Sequence, residues 1–182
     1  MKKNDIPNYI TISRFILIPV ICFCIINPSL FSFAWLFFSI ACISDFLDGY
    51  LARKFKAESE FGKCFDNIAD KVLNICIIAI LIWHRKIWLI PSLLVISREV
   101  LVPSFREYVA LNSKQRLNVD MFGKVKTTFQ FIALYVLIMP INDIHGFNLN
   151  YIGNLIFLFS AILSVLSCFM YIYKYLDRKN GK

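Results

Sequence analysis

The sequence lacks a CxxC pair, an internal repeat, a low-complexity tail and a small-residue cleavage site after its first apolar stretch. Without CxxC, zinc or disulfide frameworks explain the six cysteines poorly. Five of them (Cys22, Cys24, Cys42, Cys76 and Cys168) lie in apolar stretches, where a small hydrophobe is the simpler reading. The missing repeat argues against a solenoid or an array. The opening, MKKNDIPNYITISRFILIPVICFCII, begins like a secretory signal with two lysines and an apolar run. Only Asn27-Pro28 follows it, so it is expected to remain as a first membrane helix. Acids are also scarce, 12 Asp and Glu against 20 Lys and Arg, for a formal net charge of +8. On a soluble chain that excess would suggest nucleic acid. Here it reads as basic loops that hold cytoplasmic ends inside, with no nucleic-acid partner.

What is present is apolar. The 182 residues are 58% hydrophobic with 18 Phe, and the mean hydropathy is +0.63. A soluble domain is nearer half apolar. The expected class is an all-α integral membrane protein of one domain, residues 1–182. Six spans are expected: Tyr9–Ile26, Leu30–Lys54, Gly62–Trp83, Ile87–Leu111, Gly123–Ile141 and Tyr151–Tyr175. Only the last has a long uncharged run, Phe147 to Tyr173. In spans one, three and five the charges sit near the start: Arg14; Asp66, Asp70 and Lys71; Lys124 and Lys126. In spans two and four they sit near the end: Asp45, Asp48 and Arg53; Arg98, Glu99 and Arg106. Alternating threading gathers all of them at one membrane face, with both termini. Loops and tails on that face hold fourteen Lys and Arg, and the opposite loops hold two, Arg85 and Lys86. The positive-inside rule makes the charged face cytoplasmic. The short chain fits a bacterial cytoplasmic membrane.

Asp45 and Asp48 are three apart, and Asp66 and Asp70 are four apart, so each pair shares a helix face. The short connection between them, Arg53 to Phe61, makes the two helices neighbours and turns the acid pairs toward each other at one depth. Four unpaired carboxylates in low dielectric would repel or take up protons. Two divalent cations cancel their charge, and hard oxygen ligands suit Mg²⁺ or Mn²⁺. Such a pair is a clamp for phosphoryl displacement. Gly49, Ala52 and Gly62 leave room beside the acids, and Arg53 adds a planar donor for phosphate. The bland alternative is a set of helix-end acids at the interface, with glycines for packing.

The pattern D-x2-D-G-x2-A-R-x8-G-x3-D-x3-D, met at Asp45, Asp48, Gly49, Ala52, Arg53, Gly62, Asp66 and Asp70, resembles the signature of the CDP-alcohol phosphatidyltransferases. The resemblance implies six transmembrane helices, a cytoplasm-facing dimetal site and a homodimer. It implies Asp45, Asp48 and Asp66 as metal ligands, and Asp70 as ligand and general base. Asp45, Gly49, Ala52, Arg53, Gly62 and Thr11 would bind the CDP headgroup. The implied reaction is attack of an alcohol on the phosphate next to the diacylglycerol of CDP-diacylglycerol, with loss of CMP.

Three further stretches bear on the alcohol: IPNYITISRFILIP, SREVLVPSFREY and GKVKTTFQ. They collect too much positive charge for a neutral acceptor. Arg98 and Arg106, eight apart, point roughly 80° from one another and can border one pocket. With Lys124 and Lys126 they suit an anionic phosphate monoester. Arg98 could instead pair with Glu99 or an aspartate, Lys124 and Lys126 could be topological, and Arg14 could be a snorkelling anchor. The stretches are similar to those of the branch of the family that makes phosphatidylglycerophosphate. That resemblance implies sn-glycerol 3-phosphate as acceptor, its phosphate held by Arg98, Arg106 and Lys124. This chain has Asn67 where the family often has proline, and Pro103-Ser104-Phe105-Arg106-Glu107 where it often reads S-G-L-R-E. Two rivals stand beside this reading. One is a cardiolipin synthase of the same family, with phosphatidylglycerol as acceptor. The other is a divalent-cation transporter, because intramembrane acids also mark ion pathways.

Overall fold

The computed structural model describes residues 6–55, 60–113, 121–141, 143–144 and 146–180. Within these, the side chains of 6–15, 45–55, 60–67, 112–113, 121–122, 124, 144, 174 and 178–180 are not described. The described chain forms α1 (Ile6–Ile26), a 3₁₀ turn (Pro28–Leu30), α2 (Phe31–Phe55), α3 (Glu60–Trp83), α4 (Leu89–Ser113), α5 (Met121–Ile138), β1 (Asp143–Ile144), β2 (Phe147–Asn148) and α6 (Leu149–Asn180). The six expected spans correspond to these six helices, with ends shifted by a few residues. The two-residue hairpin was not expected. It is antiparallel, Asp143 opposite Asn148, and turns at Gly146, whose φ of +82° suits glycine.

By length and apolarity, α6 over Leu149–Asp177 is the one described helix able to cross a membrane by itself. Ile16–Ile26 and Pro28–Ser44 qualify as a pair bent by 117°. Six helices are thus present among the described residues, of which one, or two if the bent pair is a single span, is apolar enough to cross a membrane by length and composition alone.

Two compact units are present: residues 1–84 with 138–142, and residues 85–137 with 143–182. In the first, α1 packs on both α2 and α3. Ile18, Ile21 and Ile25 of α1, Ala34, Phe38 and Ala41 of α2, and Leu73, Ile77 and Leu81 of α3 are buried at helical spacing. The chain leaves α1 at Asn27, whose Nδ2 donates to the Phe23 carbonyl at 2.8 Å. Pro28, which has no N–H to donate, then starts the 3₁₀ turn.

In the second unit the helices alternate in direction. Trp88 N donates to Asn154 Oδ1 at 2.8 Å, Arg98 reaches Ser167, and Phe105 meets Tyr175 edge-on at 5.2 Å. Contacts that advance together along both helices make α4 and α6 parallel. Gly153 lies against Leu137, Phe129 against Phe159, and Ser160 against Lys126. These run in opposite senses, so α5 is antiparallel to α6. Polar side chains are buried among the apolar ones of this interior, and large apolar side chains face outward. Ser160, Ser164 and Ser167 are fully buried, whereas Phe159, Ile162, Leu166 and Phe169 are exposed. Small buried residues let helices approach closely, and an apolar exterior suits hydrocarbon surroundings.

Candidate active site

The four aspartates sit where the sequence placed them along the helices: Asp45 and Asp48 near the C-terminal end of α2, Asp66 and Asp70 in the first half of α3. Asp70 is the one of the four whose side chain is described, and it is half-buried between the buried Ala69 and Leu73. One turn on, Asn74 Nδ2 donates to the Asp70 carbonyl at 2.9 Å, while its Oδ1 is buried without a partner. The side-chain surroundings of Thr11, Arg14, Asp45, Asp48, Gly49, Ala52, Arg53, Gly62, Asp66 and Lys124 lie outside the described residues. Among the described residues no three His, Cys, Asp or Glu side chains gather as a metal site. The chemistry of the donor set fits divalent cations: four carboxylates, spaced for one face on each of two helices and offering only hard oxygens.

The basic residues of the second unit are described in more detail. Arg98 and Glu99 of α4, with side chains 11% exposed, form an ion pair, Nη1 to Oε1 at 3.5 Å. Lys126 of α5 is buried and donates from Nζ to the same Glu99 oxygen. Arg98 Nη2 donates to Ser167 Oγ of α6 at 3.3 Å, and Ser167 in turn donates to the Ser164 carbonyl at 2.9 Å. Ser160 Oγ donates to the Lys126 carbonyl at 2.9 Å. Arg98 Nε, Gln130 Oε1 and Ser164 Oγ are buried with no partner. Arg106, two turns beyond Arg98, lies over the ring of the buried Tyr171, 5.9 Å from its centroid. Polar groups with open valences, tied across three helices, form a cationic cluster suited to an anionic oxygen.

Of the two lysines that open α5, sequence reasoning chose Lys124. The structure joins Lys126 to the Arg98 cluster, and the Lys124 side chain lies outside the described residues. Gln130 and the three serines were missed. The signal was available: serines at 160, 164 and 167 make an i, i+4, i+7 stripe in a helix free of charge until Lys174, and Gln130 follows Lys126 by one turn.

These observations define a mostly helical protein with an acid stripe on α3 and a buried basic cluster tying α4, α5 and α6 together. The chain belongs to the CDP-alcohol phosphatidyltransferase family, whose model matches residues 4–173. A relative from Rickettsia felis is 40% identical over 170 residues, covering 92% of this chain and 93% of the relative. One from Haemophilus influenzae is 38% identical over 176 residues, covering 93% and 92%. One from Salmonella choleraesuis is 34% identical over 177 residues, covering 92% and 93%. All three are named CDP-diacylglycerol–glycerol-3-phosphate 3-phosphatidyltransferase.

Proposed function

We propose that this chain transfers a phosphatidyl group from CDP-diacylglycerol to sn-glycerol 3-phosphate, giving phosphatidylglycerophosphate and CMP. The observation that carries this reading is the full acid signature on α2 and α3 in a chain whose relatives, alike over nine-tenths of their lengths, are named for that reaction. The reading includes a bacterial membrane as its setting, a cytoplasmic face for the charged helix ends and termini, and a homodimer as the assembly.

Asp45, Asp48, Asp66 and Asp70 would hold two divalent cations, Mg²⁺ or Mn²⁺, whose chemistry is to neutralise charge on the diphosphate as it is displaced. Asp70 takes the proton from the attacking hydroxyl of glycerol 3-phosphate. That oxygen forms a bond to the phosphorus esterified to diacylglycerol. The bond from this phosphorus to the CMP oxygen breaks, and CMP leaves with the electron pair. Thr11, Asp45, Gly49, Ala52, Arg53 and Gly62 bind the CDP headgroup. Arg98, Arg106 and Lys124 hold the acceptor phosphate, because planar guanidinium donors match phosphate oxygens.

The test is CMP release by purified protein from CDP-diacylglycerol and Mg²⁺, with and without sn-glycerol 3-phosphate. Release that requires glycerol 3-phosphate is expected, and chelation should abolish it until Mg²⁺ or Mn²⁺ is restored. Release with phosphatidylglycerol instead would move the protein to the cardiolipin branch. Cation flux into vesicles without CMP release would make it a transporter. Asp70→Asn is expected to lose turnover while remaining folded in detergent, and normal activity from it would remove Asp70 from the chemistry.

A further inference from the structure

Glu99 has no part in the reaction above, yet its carboxylate lies among the basic side chains. It accepts a hydrogen bond from Lys126 Nζ and faces Arg98 Nη1 at 3.5 Å. A buried ion pair is weak evidence of stabilisation, because desolvation offsets most of its attraction and apolar residues of similar volume often serve as well. Its directional effect is stronger. Arg98 and Glu99 are consecutive on α4, so their side chains leave the helix about 100° apart. The guanidinium folds toward the carboxylate through Nη1 while Nη2 donates across to Ser167 of α6. Two of its three nitrogens are thereby fixed. The third, Nε, is buried with no acceptor. An unmatched buried N–H is unfavourable, and here it belongs to a guanidinium whose other two nitrogens face Glu99 and Ser167. Among the described residues, Arg98, Lys126 and Glu99 together carry a single net positive charge.

We propose that Glu99 is a positioning residue for the acceptor substrate: it gathers Lys126 and Arg98 into one buried cluster and orients the Arg98 guanidinium to receive the phosphate of glycerol 3-phosphate. This rests on the reading above, in which Arg98 holds the acceptor phosphate.

The test compares steady-state kinetics of the full-length protein in detergent with its Glu99→Gln, Glu99→Asp and Glu99→Gln/Lys126→Met variants. Glu99→Gln should raise KM for glycerol 3-phosphate about tenfold and change KM for CDP-diacylglycerol by less than about twofold. Glu99→Asp, which keeps the charge, should recover part of that loss. The double variant keeps the single net charge and should show the same selective rise, because Arg98 has lost its guide. It carries the test if Glu99→Gln does not fold. Equal changes in both KM values, or a lowered Tm with both unchanged, would make Glu99 a purely structural residue and overturn the proposal. If the unaltered protein does not use glycerol 3-phosphate at all, the functional reading itself fails, an outcome seen before any variant is made.

Discussion

In the proposed reaction Arg106 is one of the residues that hold the acceptor phosphate. Its guanidinium lies over the Tyr171 ring, within an apolar cluster that includes Val102, Val109, Phe105 and Tyr175. Cation–π contact holds the plane of the group, and a planar fork is what distinguishes arginine from lysine at phosphate. Arg106→Ala is therefore expected to raise KM for glycerol 3-phosphate about tenfold, and more than KM for CDP-diacylglycerol, in an assay of CMP release. Equal effects would remove Arg106 from the acceptor contacts. At this scale the sequence was legible in part. It held Arg98, Glu99, Arg106 and Lys126, and Glu99 as one of the partners considered for Arg98. It did not hold the arrival of Lys126 from another helix at the same carboxylate oxygen, a contact 27 residues away in the chain.

The helices themselves were legible because their ends carry local signals. Asn27-Pro28 stops α1 and starts a turn, and Asn148 Oδ1 accepts the Tyr151 N–H at 3.0 Å to cap α6. The hairpin between α5 and α6 was not legible, since two-residue strands leave no period to detect. How closely the helices pack depends on single positions. A Cβ at Gly153 would come within 2.9 Å of Leu137 Cγ and Cδ2. Gly153→Ala should force α5 and α6 apart and lower stability by about 1–3 kcal/mol, read as a lower Tm in detergent. An unchanged or raised Tm would show that Leu137 can move aside. Asn154 is the second such position. It accepts from Trp88 N, and its Nδ2 donates to the Lys86 and Asn150 carbonyls at 2.9 Å, tying the loop before α4 to α6. Burial in that loop also pulls the Lys86 ammonium below the usual lysine range. Asn154→Leu removes these side-chain hydrogen bonds and is expected to cost about 2 kcal/mol. Retained Tm would mean water replaces the side chain there.

For the molecule as a whole, the apolar exterior and the charge distribution carry the membrane reading. Exposed Tyr151 and Tyr173 lie 22 residues apart on α6, about 33 Å along a helix, close to the ~30 Å hydrocarbon thickness. Aromatic residues near both ends of a span suit the two interfaces. Single cysteines at Lys2 and Lys182, in a background without the six native ones, should label from the cytoplasmic side of intact cells' membranes. One at Lys86 should label from the opposite side. Termini that label from different sides would overturn the even-numbered threading.

The sequence by itself determined the helical class, the positions of the breaks, the acid signature and the family, because each rests on spacing within one stretch of chain. Only the tertiary structure decided which polar groups meet. It paired Glu99 with Lys126 and Arg98 and set Ser167 against that guanidinium. Such contacts depend on helix rotation and approach distance, which small residues such as Gly153 and the buried serines set and no local period encodes.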